Sequence, residues 1–253
     1  MYAPERQQAI LEKAQRDGRV EVRSLAELFD VTPETIRRDL SLMERRQLLK
    51  RAHGGAIPLD RLGIEPPVAE REALFSSEKD RIAEAALAEL PQDGSIILDA
   101  GTTTAKLAAL IPADIRLSVV TNSLPIAAQL ANRPQLQLHL LGGHVRQVTL
   151  ATVGSWANEH ALRVAADVAF IGTNGVSAAR GLTTPDLEEA QVKSQLIAAA
   201  KRTVVLADHS KFGREDFGLF AQLSSVDCII TDREVAPELA RVIADAGVEL
   251  VIA

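Results

Sequence analysis

TPETIRRDLSLMERRQLLKRAHGGAI, running from Thr32 to Ile57, decides how the rest of the chain is read. Thr32 has the side chain of a helix N-cap, and Pro33 follows at the first helical position, where a missing N–H costs nothing. Glu34 falls in the first turn, on the favourable side of the helix dipole. Ile36, Leu40 and Met43 recur at i, i+4 and i+7, predicting one buried stripe and leaving Arg37, Arg38 and Ser41 to face outward. Beyond the helix, Leu48 to Ala52 and Ala56-Ile57 can pair across His53-Gly54-Gly55 as a short ribbon.

Upstream, Ser24 to Glu27 reads as a capping box that opens a short helix over Leu25 to Phe29. Two helices joined by a tight turn, the second with outward arginines near its start, form a helix-turn-helix, and the ribbon adds a wing. Between Arg37 and Arg51, six basic residues stand against two acidic ones. A charge run alone is commonly a solvated face; on a recognition helix and its wing it points to double-stranded DNA. Arg37 and Arg38 are the candidates for base and phosphate contact, with Thr35 and Ser41 as phosphate or base partners. Lys50, Arg51 and His53 would meet phosphate along the wing. The competing readings are that one arginine pairs with Glu34 or Asp39, and that His53 is only a turn residue.

The net charge of −6 over 253 residues argues against nucleic acid only when taken whole. Residues 1–57 carry 11 Lys and Arg against 9 Asp and Glu, a balance of +2, and the remainder carries −8. Non-specific phosphate binding follows the local charge. With 47% apolar and 25% charged residues the chain is globular, and its length allows two domains. Its one cysteine, Cys228, lies in the apolar run Val226 to Ile230, so a buried thiol is expected and no disulfide framework can form within the chain. No apolar run reaches membrane-spanning length, and MYAPERQQAI at the start has no signal-peptide pattern. A cytoplasmic chain with no membrane contact is expected.

In chain order, Glu5 to Arg16 reads as a first helix and Val20 to Val22 as a short strand pairing with the wing. Pro58 to Pro67 holds three prolines and Gly63 and reads as linker, with Val68 to Phe75 as a helical tether. From Ser76 onward short apolar strands (95–98, 117–120, 136–141, 168–171, 203–207, 226–230, 248–252) alternate with helices (102–111, 125–131, 155–164, 187–201, 237–246). That alternation predicts a largely parallel sheet covered on both faces. The expected organisation is a reader at 1–57, a linker at 58–75 and an α/β domain at 76–253.

Ligands of such sheets bind in the loops at the carboxyl ends of the strands. Those loops here are small and polar: Asp99-Ala100-Gly101-Thr102-Thr103-Thr104, Thr121-Asn122-Ser123, Gly142-Gly143, Gly172-Thr173-Asn174-Gly175 and Asp208-His209-Ser210-Lys211. Glycine lets a backbone approach an anion, while threonine hydroxyls and free N–H groups at a helix start complete a cradle. Lys211 supplies countercharge. Each loop alone is ordinary turn chemistry; five at one edge point to a small phosphorylated ligand. Asp99 and Asp208 either bond sugar hydroxyls or orient the Thr and Lys side chains. Glu189 and Lys193, spaced i, i+4, either belong to this site or form a helix-surface pair. His139, His144, His160 and His209 lack metal-ligand spacing, so no metal site is expected. Trp156 is expected to pack in the interior.

Taken together, VTPETIRRDLSLMERRQLLKRAHGG, DAGTTT, TNS, the GG after LHLL, IGTNG, EAQVK and ADHSKFG resemble the DeoR family of bacterial repressors over nearly the whole chain. The resemblance implies an α/β protein with an N-terminal winged helix-turn-helix. Its C-terminal part would be a Rossmann-like, mostly parallel sheet like that of ribose-5-phosphate isomerase and CoA-transferase-like proteins. It further implies a sensor whose sugar-phosphate effector weakens operator binding, no catalytic residue, no cofactor, and a homo-oligomer, dimer or tetramer. The family's motif residues fall on Asp99, Gly101, Thr102, Thr103, Thr104, Thr121, Asn122, Ser123, Gly142, Gly143, Glu189, Lys193, Asp208 and Lys211, with Gly175 closing the IGTNG loop. MYAPERQ and GTNGV…GLTTPD are most similar to actinobacterial fructose-operon repressors, which implies fructose 1-phosphate or fructose 1,6-bisphosphate as effector. Two rival functions stay open on residues alone. One is a sugar-phosphate isomerase-like enzyme carrying a DNA-binding domain, with Asp99, Asp208 and Glu189 as acid–base groups. The other is a DNA-binding protein whose second domain contacts a protein.

Overall fold

The computed structural model describes residues 2–59 and 65–253, which group into two compact units, 1–75 and 76–253. The middle of the expected linker, residues 60–64, lies outside the described residues.

The first unit contains α1 (Ala3–Asp17), β1 (Val20–Glu21), α2 (Val22–Phe29), α3 (Pro33–Arg45), β2 (Leu49–Ala52), β3 (Gly55–Pro58) and α4 (Val68–Ala73). Thr32 caps α3 as expected, its Oγ1 accepting the Thr35 N–H at 3.2 Å. Ile36, Leu40 and Met43 meet Ile10, Leu11, Ala14, Leu25 and Leu49 in one apolar core. Each such side chain removed from water contributes about 1.5–3 kcal/mol. The strands form an antiparallel sheet in the order β1-β3-β2, so the short strand after α1 does join the wing.

One local expectation fails. The second helix begins at Val22 with Glu21 as N-cap, and Ser24 lies inside it, so the Ser24–Glu27 capping box does not form. Pairing of Val20 with Ala56 and Glu21 with Gly55, plus the Val22 N–H on the Gly54 carbonyl at 2.9 Å, delivers the chain from sheet to helix three residues early.

In the second unit α5 (Ser76–Ala86), β4 (Asp93–Leu98), α6 (Thr102–Leu110), β5 (Arg116–Thr121), α7 (Leu124–Leu130) and β6 (Leu136–Leu140) come first. Then follow β7 (His144–Arg146), β8 (Ala151–Val153), α8 (Ser155–Ala161), β9 (Ala166–Gly172), β10 (Gly175–Ser177), β11 (Gly181–Thr184) and α9 (Leu187–Ala198). The chain ends with β12 (Ala200–Leu206), β13 (Gly218–Ala221), β14 (Cys228–Thr231), α10 (Pro237–Asp245) and β15 (Glu249–Ile252). Seven strands form one parallel sheet in the order β15-β14-β12-β9-β4-β5-β6. The order runs one way from β4 through β5 to β6 and the other way from β9 outward, so the switch point lies between β4 and β9. Ligands of open α/β sheets bind at such a point.

Successive residues of each strand face opposite sides. Ile97, Ile171, Val205 and Ile229 pack with Val192 and Leu196 of α9, while Leu98, Phe170, Leu206 and Ile230 pack with Ile82 and Ala86 of α5. Two small antiparallel sheets, β7-β8 and β10-β11-β13, were not apparent in the sequence pattern. Trp156, expected in the interior, is 69% exposed on α8, whose buried face is made by Ala157 and Ala161 instead. Cys228 is fully buried, as expected, and burial pushes its thiol up to about 12. No described helix is long and apolar enough to cross a membrane.

Candidate functional site

The first unit presents α3 and the wing, and the structure sorts the expected contact residues by their hydrogen bonds. Arg38, Lys50 and His53 are exposed, and their side chains make no hydrogen bond or ion pair among the described residues. Arg37 is bonded through Nη1 to Glu34 Oε2 at 2.9 Å, one of the two competing pairings. Asp39, the other, is turned inward: it accepts Arg6 Nε at 2.6 Å and Gln7 Nε2 at 3.0 Å and is buried. Thr35 Oγ1 lies 2.9 Å from Thr32 Oγ1. Ser41 Oγ donates to the Arg37 carbonyl at 2.8 Å and accepts Arg51 Nη1 at 2.7 Å, while Glu44 Oε1 accepts the Arg51 N–H at 2.9 Å. Ser41 and Glu44 therefore hold the wing to the helix.

In the second unit, the carboxyl edge of the sheet carries two charged groups on opposite faces. Asp99 follows Leu98, so it turns to the α9 side, where Lys193 Nζ donates to its Oδ2 and, at 2.9 Å, to the Gly172 carbonyl. The Gly172 N–H donates to the same Oδ2 at 3.0 Å, joining β4 to β9 at the switch point. Asp99 Oδ1 is buried without a hydrogen-bond partner among the described residues. Lys193 also lies 5.6 Å from the centre of the Phe220 ring. Both charges are within 5% of full burial, so their mutual bond offsets a large desolvation cost.

Glu189, buried one turn before Lys193, is not a surface residue either. It accepts Thr149 Oγ1, Arg146 Nη1 at 3.3 Å and Thr184 Oγ1 at 3.5 Å. Asp186 caps α9 through the Glu189 N–H at 2.9 Å and takes Arg146 Nε at 3.2 Å. The β7–β8 hairpin is thereby clasped to the start of α9. Arg146 and Thr149 were missed in the sequence because their partner carboxylate lies 43 and 40 residues away.

Several motif residues are engaged in holding the edge together. Thr104 Oγ1 donates to the Asp99 carbonyl at 2.7 Å, and Thr121 Oγ1 to the Leu98 carbonyl at 2.6 Å. Asn122 Oδ1 accepts the Ala100 N–H at 3.0 Å, and Ser123 caps α7. Gly101 stands at the N-cap of α6 with Thr102 and Thr103 in its first turn, and no side chain among the described residues caps that helix, which leaves its leading N–H groups for an anion. Gly142 and Gly143 lead into β7, and Gly143 has a φ of +152° with Val153 O 2.5 Å from where a Cβ would stand. Gly175 opens β10 with Thr183 Oγ1 equally close.

Asp208 follows Ala207 and turns to the α5 side. Burial opposes its ionisation, yet Lys211, Lys79 and the hydrogen bonds of Ser210 hold its carboxyl below the ordinary value. Lys79 of α5 is buried, and Lys211 Nζ is 3.9 Å from Asp208 Oδ2. Next to them Asp232 accepts the His209 N–H at 2.6 Å and lies 2.9 Å from His209 Nδ1, fixing the turn that carries Lys211. Burial opposes ionisation there too, and the His209 bonds overcome it. Lys79 and Asp232 were missed because nothing local marks either as part of the edge.

At the opposite edge, ligand atoms of Glu89, Cys228 and Glu249 lie within 4.8 Å of one another. Arg202 bonds Glu89 at 2.7 and 3.1 Å and Glu249 at 3.1 Å, so a cation already serves both carboxylates. The raised thiol of Cys228 disfavours the thiolate that a metal would need.

Residues 6–61 match the family model for the DeoR-like helix-turn-helix domain, and residues 75–233 that for the DeoR C terminal sensor domain. The HTH-type transcriptional regulator GlpR of Haloferax volcanii is 38% identical over 99% of this chain and 98% of its own. The glycerol-3-phosphate regulon repressor of Escherichia coli strain K12 is 29% identical over 99% of each chain. Ribose 5 phosphate isomerase A from Neisseria gonorrhoeae matches 53% of this chain and 52% of its own at 19% identity and a TM-score of 0.37, a partial likeness of fold alone.

Proposed function

The chain belongs to the DeoR family of helix-turn-helix regulators, and from that membership we propose that it represses a fructose-utilisation operon and is released from its operator by a sugar phosphate. In this reading residues 1–57 read DNA, 58–75 link, and 76–253 sense the effector. The protein works in the cytoplasm as a homodimer or tetramer without cofactor. A relative named as a repressor over its whole length supports the direction of control. The fructose assignment, with fructose 1-phosphate or fructose 1,6-bisphosphate as effector, rests on the sequence likeness in MYAPERQ and GTNGV…GLTTPD.

Arg37, Arg38, Lys50 and Arg51 are the DNA-facing cations, His53 meets phosphate beside them on the wing, and Thr35 and Ser41 are phosphate or base partners. One observation carries the sensor assignment: Asp99 and Lys193 are buried as a pair at the switch point, with one carboxylate oxygen lacking a hydrogen-bond partner among the described residues. A sugar hydroxyl suits that oxygen. The open start of α6 (Gly101 to Thr104), Lys79 and Lys211 suit a phosphate. In this reading Thr121, Asn122, Ser123, Gly142, Gly143, Gly175, Glu189 and Asp208 complete the effector site. Effector binding then shifts the protein towards an arrangement with lower operator affinity, and by linkage operator DNA weakens effector binding by the same factor.

The test is fluorescence anisotropy of the full chain on DNA from upstream of its own gene, at fixed salt, titrated with a panel of sugar phosphates. Release by fructose 1-phosphate or fructose 1,6-bisphosphate is expected. Release by another sugar phosphate alone removes the fructose assignment, and tight binding that none of them alters removes the sensor assignment. Turnover of fructose or ribose phosphates by the pure protein would assign the site to an enzyme.

A further inference from the structure

We propose that Glu34 is a positioning residue for DNA reading: it holds the Arg37 guanidinium in the orientation that discriminates a G·C pair. Glu34 is the second residue of α3 and Arg37 the fifth, so both lie in the half of a recognition helix that meets base edges. Their ion pair spans i, i+3 at 2.9 Å, with side chains 81% and 52% exposed. An exposed pair of this kind contributes about 0–1 kcal/mol to folding. Its effect on binding is larger in kind, because a free arginine gives up its rotamer freedom when it forms a planar two-point contact. Arg37 is restrained from both ends: Glu34 holds its guanidinium, and its carbonyl accepts Ser41 Oγ, itself bonded to Arg51 of the wing. Arg38, the next residue, has no such restraint among the described residues. The two arginines therefore divide the work, Arg37 reading a base and Arg38 following phosphate.

The charge of Glu34 gives the proposal an unusual signature. A carboxylate facing a phosphate backbone repels it, which weakens binding to any sequence. Glu34→Gln removes that repulsion and the hold on Arg37 together. Affinity for random-sequence duplex should rise while discrimination at one base pair of each half-site falls. A role confined to the helix start would leave discrimination at that base pair unchanged.

The experiment selects duplexes from a pool with a randomised centre, using the full chain, and reads base preferences by sequencing. Wild type, Glu34→Gln, Arg37→Ala and the double variant are compared. A bidentate arginine–guanine contact discriminates by about 1–3 kcal/mol, roughly 5- to 150-fold. Arg37→Ala should erase that preference at one position, and Glu34→Gln should reduce it at the same position. The double variant should match Arg37→Ala, because Glu34 acts through the arginine. An unchanged preference profile in Glu34→Gln overturns the proposal. A further loss in the double variant also overturns it, since Glu34 would then read the base itself. If Arg37→Ala alone leaves the profile unchanged, the assignment of Arg37 as the reading residue fails and the proposal with it.

Discussion

Asp39 on the recognition helix and Arg6 on the first helix form a buried ion pair, Nε to Oδ2 at 2.6 Å, with side chains 6% and 10% exposed. Gln7 Nε2 fills the second carboxylate oxygen at 3.0 Å. The acid in the run RRDL is thus turned inward against α1, while Arg37 and Arg38 beside it are exposed. Removing one partner of a buried pair strands the other charge at a cost of about 3–5 kcal/mol. Asp39→Ala should lower the free energy of unfolding of the DNA-binding unit, measured in urea, by that order, while Arg6→Met with Asp39→Leu should cost much less. Equal costs for single and double replacement would show that packing, not the ion pair, sets the helix.

The sensor unit makes the corresponding choice with Asp99 and Lys193. Lys193→Met leaves the buried Asp99 carboxylate with the Gly172 N–H as its one partner among the described residues and should destabilise the unit by about 3–5 kcal/mol. Adding Asp99→Asn removes the stranded charge and should recover most of that loss. The double variant should still bind operator DNA yet fail to release it with any sugar phosphate. Recovery of stability together with a normal effector response would take Asp99 and Lys193 out of the site.

Which parts of this were legible in the chain follows from how local each signal is. The Thr32-Pro33 cap and the Ile36, Leu40, Met43 stripe are set by residues a few positions apart, and the structure reproduces both. The strands of the parallel sheet announce themselves as short apolar runs for the same reason. The β7–β8 and β10–β11–β13 sheets do not, because their three- and four-residue strands are small, mixed in polarity and in most cases buried on both sides. The sequence offered Asp39 as a partner for a neighbouring arginine, whereas it pairs with Arg6 and Gln7 some thirty residues away, which spacing cannot reveal; Trp156, expected to pack, is exposed. The site divided in the same way. Its loops were visible as glycine and threonine clusters, whereas Arg146, Lys79 and Asp232 joined it only through folding.

Acid lability should have an identifiable source. Asp167 accepts Lys201 Nζ at 2.8 Å and both the hydroxyl and the N–H of Ser95 at 2.9 Å, and these bonds, Lys201 first, hold its carboxyl down at about 2. An unfolded aspartate titrates near about 3.9. Between those values the unfolded chain binds a proton that the folded chain does not, so the stabilisation is complete above about pH 4 and is lost as pH falls toward about 2. Asp208 and Asp232 are shifted the same way and add to the slope. Urea midpoints measured across this window should fall less steeply in Asp167→Asn than in wild type. An unchanged slope would place the acid sensitivity wholly at other carboxylates.

Arg38 separates electrostatic attraction from sequence reading. It is exposed on α3 beside Arg37, and its side chain makes no hydrogen bond or ion pair among the described residues. A cation that neutralises one phosphate releases about one condensed counterion, so its loss reduces the slope of log affinity against log salt by about one. Arg38→Ala should therefore weaken binding to all duplexes by a similar factor, more at low salt than at high, and leave base preferences intact. Arg37→Ala should do the reverse, sparing random-sequence binding in relative terms while erasing one preference. Measuring salt slopes and selected sequences for both variants decides the division of labour. Identical behaviour of the two would remove the division of labour between Arg37 and Arg38.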